Sequence, residues 1–305
     1  PFATSYEKAL ASQGKSPSLD TFTTFLICVA RQLRNPYHFA PYHQAERSPF
    51  DYYQLGLDFI RDLIDFSRSK VLGENNLKSI QDAISKKENV ILLSNHQTEI
   101  DPQIISLLIE KSYPELAQEM IFVAGHRVTT DPLAVPLSLG RNLLCIYSKR
   151  HVENPPETKA EKLQHNVSVI KKLGELLNEG GKCIYIAPSG GRDRANGLGI
   201  ASVAPFDPQS VEMFYLLARK SSQPTHFHTL ALSTYKLLPP PDQILVAIGE
   251  NRSTSFSPAH LFFGPKLDMA HLGDCHLLQD KQQQREARTA AAWQQVVDNY
   301  QSFSQ

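Results

Sequence analysis

The sequence is poor in cysteine, and its few thiols are widely spaced. It has four cysteines in 305 residues, and no two of them form a Cys-x-x-Cys pair. Three of them lie among apolar neighbours, namely Cys28, Cys145 and Cys183. This setting favours buried free thiols in a reducing compartment. No clustered set of metal ligands is visible either, so we expect neither a metal nor a cofactor.

The sequence also lacks an excess of charge of either sign and lacks long apolar runs. Its 31 basic residues balance 31 acidic ones, which argues against a nucleic-acid partner. No apolar run approaches the length that crosses a bilayer, and no signal-peptide pattern heads the numbered residues. There are no internal repeats. We therefore expect a soluble globular protein with no membrane span.

What the chain does contain changes character near residue 75. Residues 1–75 carry apolar residues at helical spacing in 19–33 and 52–66 and no segment that predicts a strand. We interpret them as a small helical bundle domain with a structural or docking role. Residues 76–305 alternate apolar strands with helices, so we predict an α/β domain with a mixed, largely parallel sheet flanked by helices.

The predicted elements of this second domain follow from short apolar runs and from helical periodicity. The predicted strands are 90–93, 120–124, 143–147, 183–187, 227–232 and 245–248. The predicted helices are 102–110, 132–139, 159–178, 209–219 and 282–303. The helix over 159–178 carries Leu163, Val167, Ile170, Leu173 and Leu177 on one predicted face, and Gly180-Gly181 after it predicts a left-handed C-cap.

The segment around which this pattern is organised is Val90–Pro102. The run Val90–Leu93 predicts a strand buried on both faces, and His96 follows it in a loop. Asp101-Pro102 then predicts an N-cap and first turn of a helix. Ligands of open α/β sheets gather at the carboxyl ends of the strands, which is where this loop lies.

A histidine with a nearby carboxylate can accept a proton near neutral pH while the carboxylate fixes its tautomer. No Ser or Cys is obviously placed to attack, so such a pair would activate a hydroxyl of the substrate. The alternative is that Asp101 is only a helix cap and that His96 is a loop residue bonded to the backbone. Spacing alone leaves both interpretations open.

Cationic loops follow three other predicted strands. They are His126-Arg127, Ser148-Lys149-Arg150-His151 and Pro188-Ser189-Gly190-Gly191-Arg192-Asp193-Arg194. Each alone is also compatible with a solvated turn or an ion pair between loops. In a parallel sheet, however, the ends of these strands share one edge with His96. The pattern therefore predicts a general base beside a binding site for a phosphorylated substrate.

These motifs together resemble a known family. Asn95-His96-Gln97-Thr98-Glu99-Ile100-Asp101-Pro102 carries the His-x4-Asp signature of glycerolipid acyltransferases. The narrower resemblance is to the soluble, plastid-type glycerol-3-phosphate acyltransferases, and the motifs that carry it occur in chain order. They are Thr130-Asp131-Pro132-Leu133, Gly140-Arg141-Asn142-Leu143, Tyr147-Ser148-Lys149, Ala187-Pro188-Ser189-Gly190-Gly191-Arg192-Asp193-Arg194 and Pro239-Pro240-Pro241.

The resemblance implies transfer of a fatty acyl group from acyl carrier protein or coenzyme A to the 1-hydroxyl of glycerol 3-phosphate. It implies that His96 and Asp101 are the catalytic pair. The phosphate-binding residues that it implies are Lys149, Arg150, His151, Arg192 and Arg194. The family has Lys-Lys-His where this chain has Lys149-Arg150-His151, and Asp where it has His126. It implies a plastid stroma, with bacterial cytoplasm as the alternative.

Other functions remain open from the sequence. The first keeps the chemistry but acylates lysophosphatidic acid. The second is a phosphate-ester hydrolase in which His96 acts at phosphorus and the arginines stabilise charge. The third is a protein that binds carrier protein or phospholipid without catalysis. Phosphate release from glycerol 3-phosphate without a thioester would favour the hydrolase, and thiol release from an acyl donor would exclude a protein that only binds.

Overall fold

The computed structural model describes residues 2–196, 201–241 and 251–304, and only the backbone of residues 149, 150 and 304. Within the described residues the chain divides into two compact units, each built from several segments. The first unit comprises Pro1–Ser69, Thr98–Lys172 and Thr234–Ala259, and the second comprises Lys70–Gln97, Leu173–Ser233 and His260–Gln305. The sequence-based division into domains 1–75 and 76–305 stays a prediction.

The helices of the described chain are α1 (Phe2–Ala11), α2 (Leu19–Arg34), α3 (Tyr52–Arg61), α4 (Glu74–Ser85), α5 (Asp101–Ile109), α6 (Pro114–Glu119), α7 (Val135–Leu139), α8 (Lys149–Val152), α9 (Lys159–Glu179), α10 (Pro208–Lys220) and α11 (Lys281–Gln301). The strands are β1 (Tyr42–His43), β2 (Lys70–Leu72), β3 (Asn89–Ser94), β4 (Ile121–Gly125), β5 (Asn142–Ile146), β6 (Cys183–Ile186), β7 (Arg194–Ala195), β8 (Ala201–Ser202), β9 (Thr225–Ser233) and β10 (His260–Leu267).

The first unit combines a helical core with a short sheet. Helix α3 packs against α2, α5 and α7. Phe59 of α3 lies at the centre of the aromatic contacts, with ring centroids 4.3 Å from Phe25 and 4.8 Å from Tyr6. Burial of one such side chain stabilises the fold by about 1.5–3 kcal/mol. In the sheet, β4 and β5 are parallel and β1 pairs antiparallel with β5.

The second unit is built on strands in the order β6, β3, β9, β10 and β2. Strand β3 is parallel to both of its neighbours, β9 and β10 are antiparallel, and β10 is parallel to β2. Every residue of β3 is buried, as its apolar run predicts. Helices α4 and α11 pack against these strands. The predicted mixed α/β class with largely parallel strands and flanking helices is confirmed.

Helix α9 confirms one expectation and contradicts another. It ends at Glu179, and Gly180 and Gly181 both have positive φ, as a left-handed C-cap requires. A Cβ atom on Gly180 would lie 2.3 Å from the carbonyl oxygen of Lys87, so only glycine fits there. The predicted apolar face is wrong over its first half, because Leu163, Val167 and Ile170 are exposed. The buried apolar side chains of the helix are Val169, Leu173, Leu176 and Leu177.

Residues 1–75 contain two short strands in addition to helices. The view that residues 1–75 contain no strand is wrong, because β1 and β2 lie there and pair with β5 and β10. They are two and three residues long, which is too short for a periodicity to show. The predicted strand 245–248 lies outside the described residues. Cys28, Cys145 and Cys183 are free and buried, as expected, and so is Cys275.

Candidate functional site

In the second unit, parallel strands bring two of the predicted loops together. Strands β3 and β6 pair over Val90–Leu93, so their carboxyl ends lie at the same edge. His96 follows β3, and the loop Pro188–Arg194 follows β6. The hydroxyl of Ser94 donates to the carbonyl of Leu230 on β9 at 2.7 Å, which holds the start of the His96 loop to the sheet.

Asp193 ties these loops to each other. Its backbone N–H donates to the carbonyl of His96 at 2.6 Å. Its carboxylate accepts from the amides of Asn95 at 2.8 Å and Gln97 at 3.2 Å, and from the N–H of Ala204 at 2.9 Å. We call these groups the Asp193 network. His96 is therefore held beside the loop that carries the predicted arginines.

The hydrogen-bond donors to the carboxylate of Asp193 in the described structure are neutral amide and backbone groups. Its carboxyl is fully buried, and burial raises its pKa from 3.8 to about 6. The N–H of Ala204, the amides of Asn95 and Gln97, and the charge of His96 oppose that rise. A carboxyl held mostly by neutral donors thus changes its charge close to neutral pH.

The predicted phosphate-binding arginines flank this residue. Arg192 and Arg194 are both half-buried, and Arg194 belongs to β7, which pairs antiparallel with β8. His96 itself is half-buried rather than enclosed in the core. The second unit therefore brings together His96, Arg192 and Arg194 as neighbours of one buried aspartate.

Asp101 lies in the first unit and is fully buried. Its carboxylate accepts from the N–H of Thr98 at 3.2 Å and from the hydroxyl of Thr234 at 2.6 Å. Helix α5 begins at Asp101 itself, and Ile100 occupies the N-cap position. The prediction that Asp101 is the N-cap is therefore wrong by one residue. Two donors fix its carboxylate, which is the arrangement that a residue orienting an imidazole needs.

A buried cluster of ion pairs includes Glu99, two residues before Asp101, and the sequence did not predict it. Arg252 donates to both carboxylate oxygens of Glu99, through Nε and, at 3.0 Å, through Nη2. Its Nη2 also donates to Asp131 at 2.9 Å. All three side chains are at most 6% exposed. We call Glu99, Asp131 and Arg252 the Arg252 cluster.

The Arg252 cluster fixes two loops of the first unit. Burial disfavours the charged form of Arg252, but its contacts with Glu99 and Asp131 outweigh this and raise its pKa. Asp131 also accepts from the N–H of Leu133 at 3.0 Å. The predicted helix 132–139 starts three residues too early, because α7 begins at Val135. Arg252 lies 153 residues from Glu99, so no local pattern connects them.

The other predicted cations follow β4 and β5, whose parallel pairing puts their carboxyl ends at one edge. The ring Nδ1 of His151 lies 2.9 Å from the hydroxyl of Ser148. Lys162 is only 9% exposed, and its ammonium donates to the carbonyls of His151 and Asn154 at 2.9 and 2.6 Å. The side chains of Lys149 and Arg150 lie outside the described part of the structure.

The predicted residues thus form one set in each unit. The second unit holds His96, Arg192 and Arg194, and the first holds Asp101 and the turn 148–151. Convergence of both sets on one substrate stays a prediction. Among the described residues no group of His, Cys, Asp and Glu side chains is arranged to hold a metal ion. None of the described helices combines the length and apolarity needed to cross a bilayer.

A family model described as "Acyltransferase" matches residues 69–232, which is more than half of the chain. The chain belongs to the acyltransferase family. This confirms the resemblance carried by the His-x4-Asp signature at His96 and Asp101. The match includes β3, β6, the Asp193 network and most of β9.

Curated acyltransferases of plants are similar over nearly the whole chain. A chloroplastic glycerol-3-phosphate acyltransferase of Cucurbita moschata is 40% identical over 300 residues, covering 97% of this chain and 64% of that protein. The Arabidopsis thaliana protein of that name is 38% identical over 301 residues, 97% of this chain and 65% of its own length. The one from Spinacia oleracea is 39% identical over 268 residues, covering 86% and 57%. This acyltransferase chain thus spans less than two thirds of the length of each of these three relatives.

Proposed function

We propose that this acyltransferase transfers a fatty acyl group to the 1-hydroxyl of glycerol 3-phosphate. The donor is a thioester of acyl carrier protein or coenzyme A, and the product is 1-acylglycerol 3-phosphate. The activity for which the relatives are named supports the acceptor, and the His-x4-Asp segment supports the chemistry. The enzyme needs no cofactor, acyl carrier protein is its partner, and the plastid stroma is its compartment.

In this mechanism His96 is the general base and Asp101 orients it. His96 takes the proton of the 1-hydroxyl as that oxygen attacks the thioester carbonyl. The new C–O bond forms, the C–S bond breaks, and the proton then passes from the imidazolium to the leaving thiolate. The fixed carboxylate of Asp101 supports its role, because it accepts from Thr98 and Thr234. General-base catalysis of this kind contributes about 100- to 10,000-fold in rate.

The phosphate of the acceptor is held by Lys149 or Arg150 together with His151, Arg192 and Arg194. The observation that carries the proposal is the 2.6 Å hydrogen bond from the N–H of Asp193 to the carbonyl of His96. It couples the position of the base to the loop of the arginines. Holding the hydroxyl against the thioester supplies a further part of the rate, about 7–11 kcal/mol at most.

The test is an acyl-transfer assay with the purified chain. We expect thiol release from acyl carrier protein or coenzyme A thioesters that depends on glycerol 3-phosphate, with 1-acylglycerol 3-phosphate as the product. Lysophosphatidic acid offered as a competing acceptor should remain unacylated. Acylation of lysophosphatidic acid alone, or phosphate release without a thioester, would contradict the proposal.

A further inference from the structure

A cavity of the first unit lies beside the ends of β4 and β5 and is lined by several cationic side chains. Its volume is about 670 Å³. The lining residues with ionisable side chains are His126, Arg127, Tyr147, His151, Glu161 and Lys162. Three elements contribute to this set, namely the turn after β4, the segment after β5 and α9. One acidic residue stands among the cationic ones, so the cavity suits a small anion.

The fold holds His126 in the wall of this cavity. The residue begins a 3-10 turn, His126–Thr129, directly after β4. Its carbonyl accepts from the hydroxyls of Thr129 at 2.9 Å and Thr130 at 2.8 Å, which fixes the backbone. Its ring centroid lies 5.0 Å from that of Tyr147 and 5.4 Å from that of His151. Two imidazoles therefore lie side by side at the edge of the first unit that carries the segment 148–151.

His126 is a poor cation in the free protein. Burial lowers its pKa to about 4, and the positive charges of His151, Lys162 and Arg127 act in the same direction. His126 also lines a second cavity, whose other ionisable lining residues are Tyr37, His38, Cys145, Tyr147 and His165. The groups that shift the pKa of His126 are its burial and three cations, with no acidic residue among them, so an incoming anion would supply negative charge beside its protonated form.

We propose that His126 binds the phosphate monoester of the acceptor substrate together with His151 and Lys162, and that it takes up a proton from solvent as the dianion enters. This inference rests on the proposed function only in naming glycerol 3-phosphate as the monoester. The charge of a bound dianion offsets the three neighbouring cations and stabilises the imidazolium. Binding should therefore tighten as the pH falls from about 8.5 to about 7.5, a range in which a phosphate monoester with a second pKa of about 6 stays almost wholly dianionic.

The experiment is titration calorimetry of glycerol 3-phosphate and of inorganic phosphate, in buffers of different ionisation enthalpy, which gives both Kd and the protons taken up. We expect His126→Gln to raise Kd about 10- to 100-fold, since a hydrogen bond to a charged group contributes about 1.5–3 kcal/mol. We also expect this variant to take up fewer protons per bound glycerol 3-phosphate at pH 7.5 and to lose most of the pH dependence of Kd.

His165→Gln is the matched control. His165 also contacts Tyr147, with ring centroids 5.2 Å apart, but it borders the second cavity. We expect this variant to match the wild type in Kd and in proton uptake. If His126→Gln also matched the wild type in both, or if the two variants weakened binding equally, His126 would be a packing residue and the proposal would be overturned.

The third ligand in the titrations is coenzyme A, which carries a phosphate monoester of its own. A loss of affinity for coenzyme A alone would overturn the assignment of the site to the acceptor. The binding data also separate this inference from the proposed function. If the chain binds glycerol 3-phosphate through His126 but transfers no acyl group, the proposed function fails and the inference stands. If the chain transfers the acyl group and His126→Gln binds glycerol 3-phosphate normally, the inference fails and the proposed function stands.

Discussion

The segment from Asn95 to Asp101 is fixed by different chemistry in its two halves. In the second unit, the Asp193 network holds residues 95–97 through neutral amide and backbone donors. In the first unit, the Arg252 cluster holds Glu99 through a guanidinium shared with Asp131. Both rely on buried carboxylates, but only the Arg252 cluster neutralises them with a full positive charge from a fixed cation.

The Asp193 network and the Arg252 cluster should therefore respond differently to a change of pH and to the loss of one partner. A buried carboxylate without a cation gains its proton easily, so the Asp193 network responds to pH within the physiological range. A buried ion pair is insensitive to pH there, but it is intolerant of losing one partner, because the other charge stays buried. The following variants test this contrast.

Removal of the guanidinium from the Arg252 cluster should have the largest effect on stability. We expect Arg252→Met to lower the free energy of unfolding by about 3–5 kcal/mol, because Glu99 and Asp131 remain buried without their cation. Urea denaturation measures this loss. Lys15→Met is the control, since it breaks an exposed pair with Asp62 whose side chains are 54% and 40% exposed. It should cost less than about 1 kcal/mol, and equal losses would erase the contrast.

Asp193→Asn should reveal the pH sensitivity of the other support. The pKa of Asp193 is higher in the folded chain, about 6, than the value of 3.8 expected when it is unfolded. The stabilisation from its protonation is therefore fully present below about pH 4 and is lost as the pH rises through about 6. The difference corresponds to about 3 kcal/mol.

The variant cannot titrate at this position. The unfolding free energy of the wild type, relative to that of Asp193→Asn, should therefore fall by up to about 3 kcal/mol as the pH rises from about 4 to about 7. Parallel stability curves over this range would mean that Asp193 does not change charge there.

The smaller effects concern the arginines beside Asp193. We expect Arg192→Ala and Arg194→Ala each to raise the KM for glycerol 3-phosphate about tenfold or more, because a charged hydrogen bond contributes about 1.5–3 kcal/mol. The KM for the acyl donor should stay unchanged. Steady-state kinetics with each substrate varied in turn measure this, and a shift confined to the donor would mean that the phosphate site lies elsewhere.

Much of the fold follows from local sequence patterns. The run Val90–Leu93 predicts β3 because its residues are apolar on both faces, and the structure buries all of them. Strands β1 and β2 could not be predicted, since they are too short to show a period and their pairing is set by partners far along the chain. The predicted buried face of α9 is wrong over its first half, because apolar spacing does not reveal which side of a helix packs against the core.

The candidate site divides in the same way. His96, Asp101, Arg192 and Arg194 lie in recognisable motifs next to strand ends, so sequence alone could propose them. Arg252 could not be found, because it contacts Glu99 across 153 residues and lies in no motif. Asp193 lies inside a motif, but only its contacts with residues 95–97 show that it links the two loops.

The most direct test of the central claim is His96→Ala, with kinetics and glycerol 3-phosphate binding measured on the same preparation. The account predicts that kcat falls by about 100- to 10,000-fold, since a general base is lost. It also predicts an unchanged Kd for glycerol 3-phosphate by calorimetry, since the phosphate is held by other residues. A Kd that weakens in proportion to the loss of rate would contradict it and make His96 a binding residue.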